Sequence, residues 1–282
     1  MAVRIDEQGA VAGPAALPAT THPCEVRRAV SGPLVSLIVP AYREELRIER
    51  SLAKLARFAA GARWPIEVLV VDDGSPDETA RAAARLQEQF RSLRVLRHAH
   101  NLGKGAAVRT GFRAAAGEIV VFSDADLSTP LTELPCLIAA LERGADIAIA
   151  SRYVPRAAIR VAQPLARRVA GRVFRALAAG LVPLGLADTQ CGFKAFTRRA
   201  ARLVARASRI DGFAFDVEWL ALARKADLAI AEVPVEWSDD PRSTLALGAA
   251  SRTMLVDLWR VRRRIARLRQ RISARPGARS AA

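Results

Sequence analysis

The chain has 282 residues, 51% of them hydrophobic, which is enough to bury a sizeable core and excludes a disordered tail. Lys and Arg number 44 against 28 acids, a formal charge of +16, and the excess is local: residues 152–209 hold 13 basic and 1 acidic, and residues 241–282 hold 11 and 1. A positive field concentrated in two blocks points to phosphates, whether of nucleic acid, lipid or nucleotide.

Residues 8–33 are rich in Ala, Pro, Gly and Thr without periodicity, so 1–33 reads as a flexible tail, as does 273–282. Between them, short β-branched runs alternate with helical patterns. Val35–Val39, Ile66–Val71, Leu93–Leu96, Glu118–Phe122 and Asp146–Ala150 are predicted strands, mostly apolar on both faces as buried parallel strands should be. Helices are expected near 44–60, 77–90, 103–116 and 131–142. This alternation implies an α/β fold with right-handed crossovers and ligands at the carboxyl ends of the strands. After 151 the pattern changes to a basic helix near 163–181, an extended piece at Phe193–Phe196, an apolar helix near 214–225, a strand near Leu228–Val235 and an Arg-rich helix over about 251–272. No flexible linker interrupts this half, so 34–250 reads as one domain with the C-terminal helix as its continuation.

The chemistry-bearing residues sit at predicted strand ends. Pro40-Ala-Tyr-Arg-Glu44 follows the first strand and Val71-Asp-Asp-Gly-Ser-Pro-Asp77 the second. A ring, a carboxylate and paired aspartates there can stack on a base and bond its polar edge or a ribose. Ser75-Pro76-Asp77 is equally a turn and helix cap, which leaves Asp72 and Asp73 unexplained. Asn101-Leu-Gly-Lys-Gly105 precedes a helix and lacks P-loop spacing; it is either an anion-facing turn or a simple helix start. Asp124-Ala-Asp126, just after the fourth strand, places two carboxylates where both can reach one divalent cation. Hard oxygen ligands with open positions suit Mg²⁺ or Mn²⁺ on a diphosphate. Arg152, after the fifth strand, reaches the same rim or is an ordinary surface arginine. His98 and His100 lack a third ligand nearby and read as loop residues, and His22 lies in the tail.

Cys24, Cys136 and Cys191 are widely spaced and odd in number, which fits neither a disulfide framework nor a thiolate metal site and suits a reducing compartment. The N-terminus has no apolar core and does not read as a secretory signal. Ala176–Ala187, the longest uncharged stretch of the basic half, has 12 residues and contains Pro183, too short to span a bilayer. On a helical wheel from Leu165, the residues Val169, Val173, Leu177, Leu181 and Phe174 fill one arc. Arg167, Arg168, Arg172 and Arg175 fill the other. Such a helix suits an anionic membrane surface, and the expectation is a cytoplasmic, peripheral protein with no transmembrane segment. In the C-terminal helix a narrow stripe of Met254, Leu258, Val261, Ile265, Leu268 and Ile272 equally fits packing on the sheet. Against nucleic acid stand the few aromatics in the basic blocks and the acidic clusters at 72–73 and 124–126, although a non-enzymatic basic module on nucleic acid or membrane is the competing class.

Taken in order, these motifs resemble family 2 glycosyltransferases of the dolichyl- or polyprenyl-phosphate hexose synthase type. Ser151-Arg-Tyr153, Asp188-Thr-Gln-Cys-Gly-Phe-Lys-Ala-Phe196, Phe213-Ala-Phe-Asp-Val-Glu218 and Val233-Pro-Val-Glu-Trp-Ser-Asp239 extend the likeness over about 35–260. Asp124-Ala-Asp-Leu-Ser-Thr-Pro130 and Asp188–Lys194 look closer to the dolichyl-phosphate glucosyltransferase branch than to the mannosyl branch. The resemblance implies a GT-A fold and an inverting transfer of a hexose, glucose from UDP-glucose before mannose from GDP-mannose, onto a polyprenyl phosphate; a soluble acceptor is the alternative. It assigns Pro40, Tyr42, Glu44, Val71 and Asp73 to the nucleoside, with Lys104 near the nucleotide sugar. Asp124 and Asp126 go to metal and diphosphate, with Ala125 and Ser128 beside them. Arg152, Arg167 and Lys194 go to the sugar-nucleotide or acceptor phosphates. Asp216 is either a sugar-orienting carboxylate or a helix start. Thr244 stands where the family usually has lysine, and Arg242 is the substitute for acceptor-phosphate contact.

Overall fold

The computed structural model describes residues 34–161, 165–239 and 247–273. In chain order these form β1 (Val35–Ala41), α1 (Ile48–Gly61), β2 (Ile66–Asp72), α2 (Thr79–Ala84), β3 (Leu93–Arg97), α3 (Lys104–Ala114), β4 (Ile119–Ser123), α4 (Leu134–Glu142), β5 (Ile147–Ser151) and β6 (Ala158–Val161). They continue with α5 (Leu165–Leu181), β7 (Phe193–Thr197), α6 (Arg198–Ala207), α7 (Phe215–Lys225), β8 (Ile230–Pro234), β9 (Glu236–Ser238) and α8 (Leu247–Ser273). Seven strands make one sheet in the order β3-β2-β1-β4-β7-β5-β8, and β6 pairs with β9 in a small parallel ribbon. All pairs in the large sheet are parallel except those of β7, which runs antiparallel between β4 and β5.

The apolar runs became strands because both faces of the sheet are covered. Every residue of β1, β2, β4 and β5 is buried. One face packs on α1 and α4 through Ile48, Leu52, Leu55, Leu134, Leu137 and Ile138. The other packs on α3, α6 and α7, where Phe112 meets Phe196 and Trp219 edge to face at centroid distances of 5.1 and 4.7 Å. Pro40 is tolerated in a central strand because β4 pairs only with Val35–Ile38, so β1 has a free side at its carboxyl end. That splay opens a crevice between β1 and β4, the point at which the strand order reverses.

The structure departs from the sequence expectations in four places. The helix near 77–90 is the short α2 followed by a single 3₁₀ turn at Gln87–Gln89. It starts late because the Asp77 carboxylate accepts from both the backbone N–H and the hydroxyl of Thr79. Helix α6 was not expected, although Thr197 caps it by accepting from Ala200 N–H at 3.3 Å and Ala200, Ala201, Val204 and Ala205 give it a buried face. The strands β6 and β9 were not expected as a separate ribbon, and the C-terminal helix begins at Leu247, four residues early. Helix α8 packs on the domain through Leu258 and Val261, both fully buried, as its narrow stripe allowed. The two tails, with His22 and Cys24, lie outside the described residues apart from Ser273, which ends α8.

Candidate active site

The crevice is lined by the residues that follow β1, β2, β4 and β5. At the end of β4 the chain turns sharply, with Leu127 N–H donating to Asp124 C=O at 3.1 Å and Leu127 held at φ 53°. A non-glycine residue in the left-handed region costs free energy, and two bonds stabilise the turn against it. Ser128 N–H donates to Asp126 Oδ1 at 2.9 Å, and Ser238 N–H of β9 donates to Ser128 C=O at 2.9 Å. Asp124 is anchored from behind, its N–H donating to Gly192 C=O at 2.9 Å. Gly192 has no side chain for a local reason: a Cβ there would overlap the Asp124 carboxylate.

Burial and the neighbouring Asp124 raise the Asp126 carboxyl above its ordinary value. Burial also raises Glu44, in spite of its ion pair with Arg47, with Asp126 and Asp124 adding to the effect. Asp124 and Asp126 thus place two hard carboxylate groups together, with Glu44 near enough to feel both charges. A divalent cation is the species that such a pair suits. Lys104 supplies part of the compensation: its Nζ lies 2.6 Å from Asp124 Oδ1 and near the faces of Phe122 and Phe213. Burial alone would lower the Lys104 ammonium, but Asp124, Asp216 and Asp126 raise it above the usual lysine range.

The turn that delivers Lys104 is held by Asp73. Its Oδ1 accepts from Leu102 N–H at 3.0 Å and faces His98 Nδ1 at 2.8 Å; its Oδ2 accepts from Asn101 Nδ2 at 2.9 Å and Gly103 N–H at 2.8 Å. The next amides, Gly105 and Ala106, donate to Asp211 C=O at 2.6 and 3.3 Å. Gly103, at φ 107°, admits no Cβ because Asp211 C=O lies against it. Of the two readings of Asn101–Gly105 the bonds favour the helix start over the anion-facing turn, since the Leu102, Gly103 and Gly105 amides are already bonded inside the protein. Its function is to aim Lys104.

Beneath Asp124, on β7, Lys194 Nζ donates to Asp216 Oδ1 and to Cys191 C=O, each at 2.6 Å. Both side chains are buried, and burial raises Asp216 while Lys194 and Lys104 pull it down. Burial also pushes the Cys191 thiol up to about 11, which keeps it protonated. At the end of β5, Arg152 grips Asp188 through Nε–Oδ2 at 2.7 Å and Nη2–Oδ1 at 3.0 Å. Asp188 is placed by Glu232 of β8, whose two oxygens accept from Ala187 and Asp188 N–H at 2.9 and 3.1 Å. Burial would raise Asp188, but the Arg152 fork outweighs it and holds the carboxyl below the ordinary range.

Residues 36–204 match the family described as Glycosyl transferase family 2. The chain belongs to that family. This family 2 glycosyltransferase is 31% identical over 237 residues to a dolichyl-phosphate beta-glucosyltransferase of Trichomonas vaginalis, covering 80% of this chain and 72% of the relative. It is 37% identical over 225 residues to the Drosophila melanogaster dolichyl-phosphate beta-glucosyltransferase, covering 75% and 69%. Among solved structures it resembles the Mycobacterium tuberculosis glucosyl-3-phosphoglycerate synthase in complex with Mn²⁺, UDP and glucosyl-3-phosphoglycerate, with a TM-score of 0.63, 25% identity and coverage of 82% and 80%. The GT-A fold follows from this likeness and from the mostly parallel sheet.

Of the residues singled out in sequence, the glycosyltransferase brings Glu44, Lys104, Asp124, Asp126 and Asp216 into one electrostatic group. Tyr42 is exposed at the β1 rim, Ser128 ends the turn, and Pro40, Val71 and Ala125 line the strand ends, all three buried. Lys194 is placed beneath the crevice and not on its rim, because its ammonium is committed to Asp216 and Cys191. Arg152 faces the crevice edge with most of its fork spent on Asp188. The backbone of Arg167 lies in α5, its side chain is outside the described residues, and so are Arg242 and Thr244. Sequence reasoning gave no role to Asp188, Gly192, Asp211 or Glu232. Asp188 and Gly192 lay within a quoted motif, whereas Asp211 and Glu232 act through backbone groups and leave no pattern.

Proposed function

We propose that the protein transfers glucose from UDP-glucose, with inversion, to the phosphate of a polyprenol. The observation that carries this is the Asp124–Asp126 pair at the switch point, faced by the Lys104 ammonium. Two carboxylates at a strand end with an ammonium beside them suit a diphosphate and its cation. Mg²⁺ or Mn²⁺ held by Asp124 and Asp126 would neutralise charge on the departing diphosphate. The identity with dolichyl-phosphate beta-glucosyltransferases supports the sugar and the lipid, and the neighbour in complex with UDP and Mn²⁺ supports the base and the metal.

In this reaction an acceptor phosphate oxygen forms a bond to the anomeric carbon as the bond from that carbon to the β-phosphate oxygen breaks. The electron pair leaves with UDP. No strong general base is required, because the second ionisation of a phosphate monoester lies near 6. What the chain must supply is position and charge. Lys104, fixed by the Asp73 and Asp211 bonds, holds positive charge beside the carboxylate pair. Lys194 keeps the Asp216 carboxylate in place beneath.

Peripheral docking on an anionic membrane rests on α5. Phe174 and Leu181 of its apolar arc pack on the domain together with Ala178, whereas Val169, Val173 and Leu177, at i, i+4 and i+8, are 49%, 53% and 39% exposed. Arg168 and Arg172 are exposed beside them. No helix among the described residues is long and apolar enough to cross a membrane.

The test is purified protein with a panel of labelled nucleotide sugars, a polyprenyl phosphate and 3-phosphoglycerate. Label extractable with lipid, only from UDP-glucose and only with polyprenyl phosphate, is expected. A water-soluble glucosylated phosphoglycerate without lipid product would overturn the acceptor assignment. Asp126→Ala should abolish transfer in a chain that still folds.

A further inference from the structure

Two guanidinium groups approach the ring of Tyr153, just outside the crevice. Arg152 Cζ lies 5.3 Å from the ring centroid and Arg175 Cζ, from α5, lies 3.8 Å from it. Arg152 is also 5.4 Å from the ring centroid of Trp237 in β9. Arg175, Tyr153, Arg152 and Trp237 therefore form an alternating series of cations and rings that joins the membrane-side helix to the site.

The two arginines differ in how their N–H edges are used. Arg152 spends Nε and Nη2 on Asp188. Arg175 has no ion pair or hydrogen bond among the described residues, and a guanidinium stacked by its face keeps its edge donors free. The surrounding block, 152–209, contains 13 basic residues and a single acid, Asp188, which Arg152 already occupies. No acid of that block remains for Arg175. Two like charges on one ring, with one counter-charge between them, call for an anion from outside, and a planar fork of free donors matches a phosphate.

We propose that Arg175 holds the phosphate monoester of the acceptor, with Tyr153 fixing the plane of its guanidinium and Arg152 closing the inner side of the subsite. This rests on the reading of the acceptor as a polyprenyl phosphate.

The test measures steady-state kinetics of Arg175→Gln, Arg175→Lys and Tyr153→Leu, varying acceptor and UDP-glucose separately. Arg175→Gln should raise the acceptor KM about tenfold or more and leave the UDP-glucose KM unchanged. Arg175→Lys should recover only part of the loss, since an ammonium keeps the charge without the fork. Tyr153→Leu should raise the acceptor KM in the same sense. An unchanged acceptor KM in Arg175→Gln, or a parallel rise in the UDP-glucose KM, would overturn the proposal. If the wild-type protein glucosylates 3-phosphoglycerate and makes no lipid, the polyprenol reading fails, and an acceptor KM raised by Arg175→Gln would still support the phosphate contact. If lipid is made and the variant matches wild type, the contact alone fails.

Discussion

The Lys104 ammonium lies 2.6 Å from Asp124 Oδ1, on one of the two carboxylates that suit a divalent cation. Lysine and cation thus compete for the same negative charge. Lys104→Gln should tighten Mn²⁺ binding to the nucleotide-free protein by about three- to tenfold, roughly 1 kcal/mol, while slowing transfer by about tenfold or more. Titration of Mn²⁺ by calorimetry reads the first effect. Unchanged Mn²⁺ affinity would separate Lys104 from the cation site.

Gly192→Ala places a methyl group into the Asp124 carboxylate. Because the backbone of Gly192 is not in the left-handed region, the cost falls on the aspartate and not on the turn. Transfer should fall about a hundredfold, the scale expected for a misplacement of about 1 Å, with the circular dichroism spectrum retained. Full activity would mean that Asp124 has room to yield.

Arg152→Gln leaves Asp188 buried without its counter-charge. In the wild-type protein the Asp188 carboxyl lies below its unfolded value of about 3.9. Its stabilisation is therefore complete above that pH and is lost only as pH falls through the folded value. In the variant the backbone N–H groups of residues 152 and 190 and the Lys194 charge still favour the carboxylate, but without the fork burial weighs more, so the carboxyl takes up a proton at higher pH than in the wild-type fold. The variant should be less stable by about 3–5 kcal/mol at pH 7, and the gap should shrink towards pH 4. Urea midpoints at several pH values measure it, and a gap independent of pH would contradict the assignment.

Arg168→Glu combined with Arg172→Glu reverses two charges beside the exposed Val169–Val173–Leu177 stripe. Binding to anionic vesicles should weaken by about 2 kcal/mol or more, at roughly 1 kcal/mol for each basic residue lost. Sedimentation with anionic and neutral liposomes, at low and high salt, distinguishes this from a purely apolar attachment. Equal binding by the double variant would remove α5 as the docking element.

Much of this arrangement was legible in the sequence because parallel strands buried on both faces write themselves as apolar runs. The same rule places ligands after such runs, and it marks Glu44, Asp124 and Asp126 from the sequence alone. Asp73 shows the limit. A carboxylate at a strand end has the same signature whether it meets a ligand or four donors of the next loop, and only the fold brings His98, Asn101, Leu102 and Gly103 around it. Lys194 shows another, since its motif marks importance but not depth. Helix α6 was legible in principle from Thr197 and the spacing of its buried alanines, but its arginines obscured the apolar face. The outward half of the α5 arc was recognised as amphipathic, and burial divided it into a part that packs and a part that does not.

The position of β7 governs the order in which this molecule can be completed. During synthesis β4 is finished at Ser123, yet the strand that pairs along its outer edge spans Phe193–Thr197, so about 70 residues must follow before that edge is covered. Strand β5, made in between, has no place beside β4 and can join only through the later strand. The residue that backs Asp124 and the lysine that braces Asp216 arrive on or beside that same closing segment. The exposed edge and the unfinished catalytic wall therefore disappear together, and a nascent chain that has not yet zipped its sheet has no partial enzyme to offer.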